Sequence, residues 1–226
     1  MGIISRDELK AGDHIYSWRN VYLYSHHGIY IGDEKVIHFI GGGGQKTGTR
    51  TFLDKITSRS VPNHGGNHKQ PCPNCGDQSN LDGVVSSCLD CFLAGGNIHL
   101  FEYSVSQVVF LAKPRRGTCT TAPSDPCDVV FYRAKILLLL NGFGAYHVLE
   151  NNCEDFAIYC KTSLMVGKND VFGRGGQAHL VSVVGFITQL FMPSASRALS
   201  LTADIGVRKD AMKVSVETLV ARSKKT

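Results

Sequence analysis

No charged segment followed by an apolar run opens the sequence. No small-residue cleavage pattern follows Met1-Gly2-Ile3-Ile4-Ser5-Arg6-Asp7, so a secretory signal is not expected. Gly2 and Ser5 approach a myristoylation pattern, but Arg6 stands where that pattern needs Ser or Thr. Long hydrophobic runs are scarce. The best candidate, Ala178 to Met192, contains Ser182, Thr188 and Gln189 and ends at Pro193; at fifteen residues it is too short and too polar for a bilayer span. Charge of one sign is not in large excess, the formal net charge being +5. No basic–aromatic module is visible, which argues against a nucleic-acid partner. The run Gly41 to Gly44 lacks the Lys-Ser/Thr that completes a phosphate-binding loop. Without a secretory signal, the eight cysteines are expected as thiols or metal ligands rather than disulfides, and a cytoplasmic location follows.

What is present suits a folded domain. The 226 residues, 43% of them hydrophobic, are enough for one globular domain with additions or for two small ones. From Pro193 onward there are seven Lys/Arg against three Asp/Glu, so four of the five excess positive charges lie in this tail. Such a bias suits an acidic surface such as anionic lipid. There Met212, Val216, Leu219 and Val220 fall on one helical face, with Lys213, Arg222, Lys224 and Lys225 elsewhere. Two readings fit: an interfacial membrane helix, or a helix packed on its own domain.

Residues 8 to 40 read as short strands, Asp13 to Trp18, Val21 to Ser25, His26 to Ile31 and Val36 to Ile40, with a turn at Gly32-Asp33-Glu34-Lys35. Alternation in His99 to Tyr103 and in Val108 to Ala112 reads as further strands. Asp128 to Leu140 is expected as a helix, with Ser124 or Asp125 as cap, Pro126 near its first turn and Asn141-Gly142 at its end. Tyr146 to Leu149 reads as a brief extended piece.

Cys72-Pro73-Asn74-Cys75 and Cys88-Leu89-Asp90-Cys91 are two C-x2-C knuckles with twelve residues between them. Each pair offers two thiolates from one tight turn, and the spacer lets the turns face each other across a tetrahedral ion. One structural zinc held by Cys72, Cys75, Cys88 and Cys91 is the expectation, since four sulfurs close the coordination sphere. His64 and His68 are then loop residues rather than ligands.

The second chemical signal is Asn151-Asn152-Cys153-Glu154-Asp155-Phe156. Phe156, Ala157, Cys160 and Leu164 recur at helical spacing, Asn151 or Asn152 is a suitable N-cap, and Glu154 and Asp155 suit the first turn. Cys153 thus sits where a helix begins, and the unpaired backbone N–H groups and the helix dipole favour a thiolate. The adjacent carboxylates oppose this but point roughly 100° and 200° away from the sulfur. Cys160 reads as packing, and Cys119 and Cys127 carry no assignment.

A nucleophilic thiol needs a base. In a strand His26, Gly28 and Tyr30 share one face, and His27, Ile29 and Ile31 the other, which looks like core. That leaves His26 facing an open site, with room beside it at Gly28. An even hairpin loop sets His38 opposite Ile29, on the wrong face for His26. The two histidines therefore meet only through an odd turn or a bulge, and otherwise His27 is the better partner.

His26-His27-Gly28-Ile29-Tyr30-Ile31-Gly32, His38 twelve residues after His26, and Asn152-Cys153-Glu154-Asp155-Phe156 together resemble the lecithin:retinol acyltransferase-like family. That family includes the H-rev-type phospholipase/acyltransferases and is related to NlpC-type papain-like thiol enzymes in permuted order. Tyr146 and the leading Leu9-Lys10-Ala11-Gly12-Asp13 match as well. The likeness covers roughly residues 9 to 60 and 98 to 165 and is nearest to plant members called NC-domain proteins. The resemblance implies an α+β, permuted NlpC/papain-like fold with an antiparallel sheet packed by helices. It implies Cys153 as nucleophile, His26 as base and His38 as the residue orienting His26. Asp155 stands where animal members carry His, and the zinc-like insert is foreign to the animal enzymes.

The expected organisation is a domain over 1–175, interrupted by a zinc-knuckle insert at 63–97, then an apolar and basic tail over 176–226. The expected activity is acyl transfer or phospholipase cleavage from a glycerophospholipid or other acyl ester through a Cys153 thioester. Peripheral membrane contact through the C-terminal tail and a protein partner at the insert complete the picture. The alternatives are a non-catalytic adaptor on the same fold and a thiol peptidase or amidase.

Overall fold

The computed structural model describes residues 2–19, 24–41, 71–78, 80–113, 117–147, 151–166 and 201–224. The apolar stretch 178–192, Pro193 and the histidines at 64 and 68 lie outside the described residues. Strands β1 (His14–Arg19), β2 (Tyr24–Gly32), β3 (Lys35–Ile40), β4 (Gly83–Cys88) and β5 (His99–Leu100) form one sheet in the order β4-β3-β2-β1-β5, antiparallel throughout. Helices α1 (Leu89–Leu93), α2 (Gln107–Ala112), α3 (Cys127–Leu140) and α4 (Cys153–Thr162) follow in the chain. A short ribbon of β6 (Leu164–Val166) and β7 (Ala211–Lys213) then leads to α5 (Val216–Ser223). The α+β expectation of an antiparallel sheet packed with helices holds.

The β2–β3 hairpin decides where the histidines point. Asp33 and Glu34 both adopt left-handed backbone, φ 49° and 54°, which matches a two-residue turn to the twist of the strands. Gly32 pairs with Lys35, but the next pair is Tyr30 with Val36, so Ile31 is an extra residue in the ladder. That bulge shifts the register by one and sets His38 opposite Gly28. Both histidines, 26 and 38, therefore lie on one face of the sheet, and His27 lies on the other.

The face carrying His27, Ile29, Ile37 and Phe39 holds the main core. Against it α4 packs Phe156, Ala157, Tyr159 and Cys160, and α3 packs Val130, Ala134 and Leu137, all of them fully buried. Each such large apolar side chain contributes roughly 1.5–3 kcal/mol by leaving water. The Tyr159 hydroxyl donates to the Val214 carbonyl at 2.9 Å and ties in the segment after β7. Val216, Leu219 and Val220 of α5 are buried in the same core, so this helix packs on its own domain.

The opposite face is covered by α1, whose Leu89, Phe92 and Leu93 pack with Ile15, Tyr30 and Val36. Gly28 is not an opening. A Cβ there would meet Val36 Cγ1 at 2.6 Å and Phe92 Cε2 at 2.9 Å, so the missing side chain lets Phe92 seat on the sheet. This replaces the open site expected beside His26.

One other expectation changes. Residues 107–112 form a helix rather than a strand: the Ser106 side chain accepts from the Val109 N–H at 3.3 Å and caps it. Val108 and Val109 are exposed, so the β-branched residues have no sheet face to fit. Within the expected 63–97 insert, β4 pairs with β3 over six residues, from Lys35 with Cys88 to Ile40 with Gly83. The Asn141 cap at the end of α3 is present in left-handed conformation, φ 45°.

Candidate thiol–histidine site and four-cysteine cluster

The α4 helix starts at Cys153 because Asn152 caps it. Its Oδ1 accepts from the N–H groups of Glu154 at 2.8 Å and Asp155 at 3.2 Å, and Asp155 Oδ2 accepts the Asn152 N–H at 3.0 Å. The Cys153 sulfur is 2% exposed and rests on β2. It lies 3.9 Å from the Ser25 carbonyl oxygen, and the His27 backbone N–H donates to it. The sulfur therefore sits on the two peptide groups that flank His26. The Tyr146 side chain hydrogen-bonds Cys153, and Gly41 gives its ring space, since a Cβ there would come within 2.8 Å of Tyr146 Cδ1.

Burial pushes the Cys153 thiol up to about 12, with Glu154 and Asp155 adding to the rise. The expectation that a helix N-terminus favours a thiolate here is outweighed. The N–H groups of Glu154 and Asp155 are already taken by the Asn152 cap, and desolvation of an anionic sulfur costs more than the two remaining donors, the backbone N–H groups of His27 and Cys153, return.

His26 Nε2 and His38 Nδ1 are 2.8 Å apart, with the rings perpendicular. His38 Nε2 lies 2.7 Å from the Ser87 hydroxyl. Burial lowers both imidazoles, His26 well below its ordinary value and His38 to about 3; the Arg19 guanidinium adds to both. Arg19 is itself buried and donates to the Phe92 and Leu93 carbonyls and to Ser17 Oγ, so it ties β1 to α1 beside the histidine pair. His27 joins a different chain on the other face. Its Nε2 is 2.8 Å from Ser25 Oγ and its Nδ1 2.8 Å from His14 Nε2, while His14 Nδ1 is 2.7 Å from the Tyr103 hydroxyl. The structure thus brings His38 to His26 and His14 to His27.

The four cysteines of the knuckles converge. Their sulfurs all lie within 4.8 Å of one another, with Cys72 and Cys75 each 3.7 Å from Cys88. A tetrahedron of zinc–sulfur bonds of about 2.3 Å has edges of about 3.8 Å, so the donor set fits a metal of that size. The first knuckle is closed by Cys72 N–H to the Gly76 carbonyl at 3.1 Å and Gly76 N–H to the Cys72 carbonyl at 2.8 Å. The second places Cys88 as the N-cap of α1, where it accepts the Cys91 N–H at 3.4 Å. Backbone N–H groups of Asn74 and Cys75 hold the Cys72 thiol down to about 6. The arrangement is that of a structural metal site.

A family model described as Lecithin retinol acyltransferase matches residues 7–166. The chain belongs to the lecithin retinol acyltransferase family. A curated relative of this family member, Protein LEAD-SENSITIVE 1 of Arabidopsis thaliana, is 47% identical over an alignment covering 98% of this chain and 92% of that protein. The family match takes in both knuckles, both histidines and Cys153 in one span. Among the described residues no helix is long and apolar enough to cross a membrane.

Ser87, Gln78 and Arg19 belong to this neighbourhood and were not singled out by the sequence. Arg19 left a trace, as the charged residue that directly follows the expected strand Asp13 to Trp18. Ser87 left one only through its place beside Cys88.

Proposed function

We propose that this chain is a thiol acyltransferase or phospholipase of permuted NlpC/papain-like fold that takes an acyl group from a glycerophospholipid ester onto Cys153. The observation that carries this reading is the 2.8 Å bond between His26 and His38 on the strand whose peptide groups seat the Cys153 sulfur. With His26 Nε2 engaged by His38, Nδ1 is the ring nitrogen that takes the thiol proton. The sulfur attacks the ester carbonyl carbon, the tetrahedral intermediate collapses, and the glycerol oxygen leaves with the proton carried by His26. The thioester then passes its acyl group to an amine, an alcohol or water, with His26 taking the proton of the acceptor. Because the thiol is pushed up and both imidazoles are pushed down, the resting pair is neutral, and the proton moves as the carbon–sulfur bond forms. The Cys153 backbone N–H at the start of α4 stabilises the oxyanion. Zinc is the metal of the four-thiolate cluster in this reading and has a structural role, since the four sulfurs leave no position for substrate. The apolar face of α5 is spent on the core, so contact with a lipid surface falls to exposed basic side chains such as Lys213 and Lys224.

Cys153, His26 and His38 are all nearly enclosed, at 2%, 2% and 4% exposed, and this favours one second reading, an adaptor that keeps the fold without turnover. Incubation of the purified full chain with acyl-labelled phosphatidylcholine separates them. An acyl-protein adduct that is lost in Cys153→Ala, and falls at least about 100-fold in His26→Ala, supports the enzyme. His27→Ala leaves the adduct in place and lowers stability by about 1–3 kcal/mol, because it strands His14 and Ser25. No adduct, with intact vesicle or partner binding in Cys153→Ala, identifies the adaptor. Reaction with peptide amides alone identifies a peptidase.

A further inference from the structure

The histidine pair does not end at His38. Ser87, the residue before Cys88, is 4% exposed, and its hydroxyl donates to Gln78 Oε1 at 2.9 Å. The amide of Gln78 has only one orientation that works. Its other end faces the Cys75 carbonyl at 2.7 Å, and a carbonyl only accepts, so that end is the NH2 group and Oε1 faces Ser87. A serine hydroxyl has a single hydrogen. Once it goes to Gln78, Ser87 Oγ can only accept from His38, so His38 carries its proton on Nε2. His38 is neutral, so its Nδ1 is a bare lone pair and accepts from His26 Nε2–H. His26 is neutral as well, and its Nδ1 is then unprotonated. With both rings neutral, donor count fixes each step, starting from the backbone of the first knuckle.

We propose that Gln78 and Ser87 are positioning residues that hold His26 in the tautomer with Nδ1 free to accept a proton, and that the four-cysteine knuckle sets this tautomer through the Cys75 carbonyl. The proposal rests on the reading of His26 as base and says what prepares it. Order in the Cys72–Gly76 turn fixes the direction of Gln78, Gln78 fixes Ser87, and the two histidines follow. When Gln78 loses its carbonyl partner or is replaced, the Ser87 hydroxyl is released to donate to His38 Nε2. Both imidazoles can then reverse, which puts the proton on His26 Nδ1, where it blocks the thiol.

The test uses the full chain loaded with zinc, with histidine ring nitrogens labelled with 15N, and reads which nitrogen of His26 and His38 is protonated. The wild type shows His26 and His38 each protonated on Nε2 and bare on Nδ1. Gln78→Ala shows the reversed tautomer as a substantial population, with zinc content and melting temperature close to wild type, and Cys153 acylation slowed at least about tenfold. Ser87→Thr, which keeps the hydroxyl, retains the wild-type tautomer, whereas Ser87→Ala does not. Wild-type protein bearing the proton on His26 Nδ1, or Gln78→Ala with the wild-type tautomer and acylation rate, overturns the proposal. If Ser87→Ala does not fold, the partly exposed Gln78 still decides it. Absence of any acyl adduct in the wild type sinks the enzymatic reading instead, while the nitrogen spectra still report on the relay.

Discussion

Acid lability is built into the sheet. Five imidazoles, His14, His26, His27, His38 and His99, are buried, and burial lowers each below its ordinary value. A histidine lowered in this way contributes its full share of stability above its unfolded pKa and loses it as pH falls toward the folded one, because the unfolded chain binds the proton first. For His27 and His38, each held at about 3 against an ordinary 6.5, the loss begins near 6.5 and runs down to about 3. Between about pH 7.5 and about pH 5 each contributes a loss of ~2 kcal/mol, or ~4 kcal/mol together. His14 and His26 act in the same direction. Against a total stability of ~5–15 kcal/mol for a domain, this is a large fraction. Urea unfolding at the two pH values, with metal content checked at each, measures the drop. His27→Phe lowers stability at both pH values but reduces the drop by ~2 kcal/mol, because one proton-binding difference is gone. A drop below ~1 kcal/mol in the wild type, or an unchanged drop in His27→Phe, refutes the assignment of these rings as neutral buried groups.

Two further outcomes follow from the packing and the cluster. Gly28→Ala pushes a methyl into Val36 and Phe92 and lowers the unfolding free energy by about 1–3 kcal/mol; a neutral result would mean that α1 can move off the sheet. Chelation releases one metal ion per chain and removes amide-exchange protection first at Cys72–Gly76 and at the start of α1. Metal analysis giving far less than one ion per chain removes the site.

The cysteine knuckles and the α4 start were legible because spacing and capping are local. The N-cap of Asn152 and the C-x2-C turns each need only a few consecutive residues to form. The pairing of His26 with His38 was legible only as a condition, since it depends on the extra residue Ile31, and periodicity does not reveal which residue of a hairpin is left out of the ladder. The strand expected at Val108 to Ala112 failed because β-branched residues make a strand only where a sheet edge is offered, and Ser106 supplied a helix cap instead. Gly28 was read as empty space because the sequence does not say that Phe92, sixty-four positions later, lies over it. Ser87 and Gln78 were hidden for the same reason. Neither residue type is unusual, and only the folded chain sets them in line.

The odd residue at position 31 also limits how the hairpin can vary. Side chains alternate sides, so adding one residue between Gly28 and His38 without a further kink turns the second ring to the far side of the sheet and parts it from the first, whereas deleting the bulged residue itself leaves a regular hairpin with the histidine still opposite Gly28. A chain that gained a single residue here would keep its fold while losing its imidazole pair.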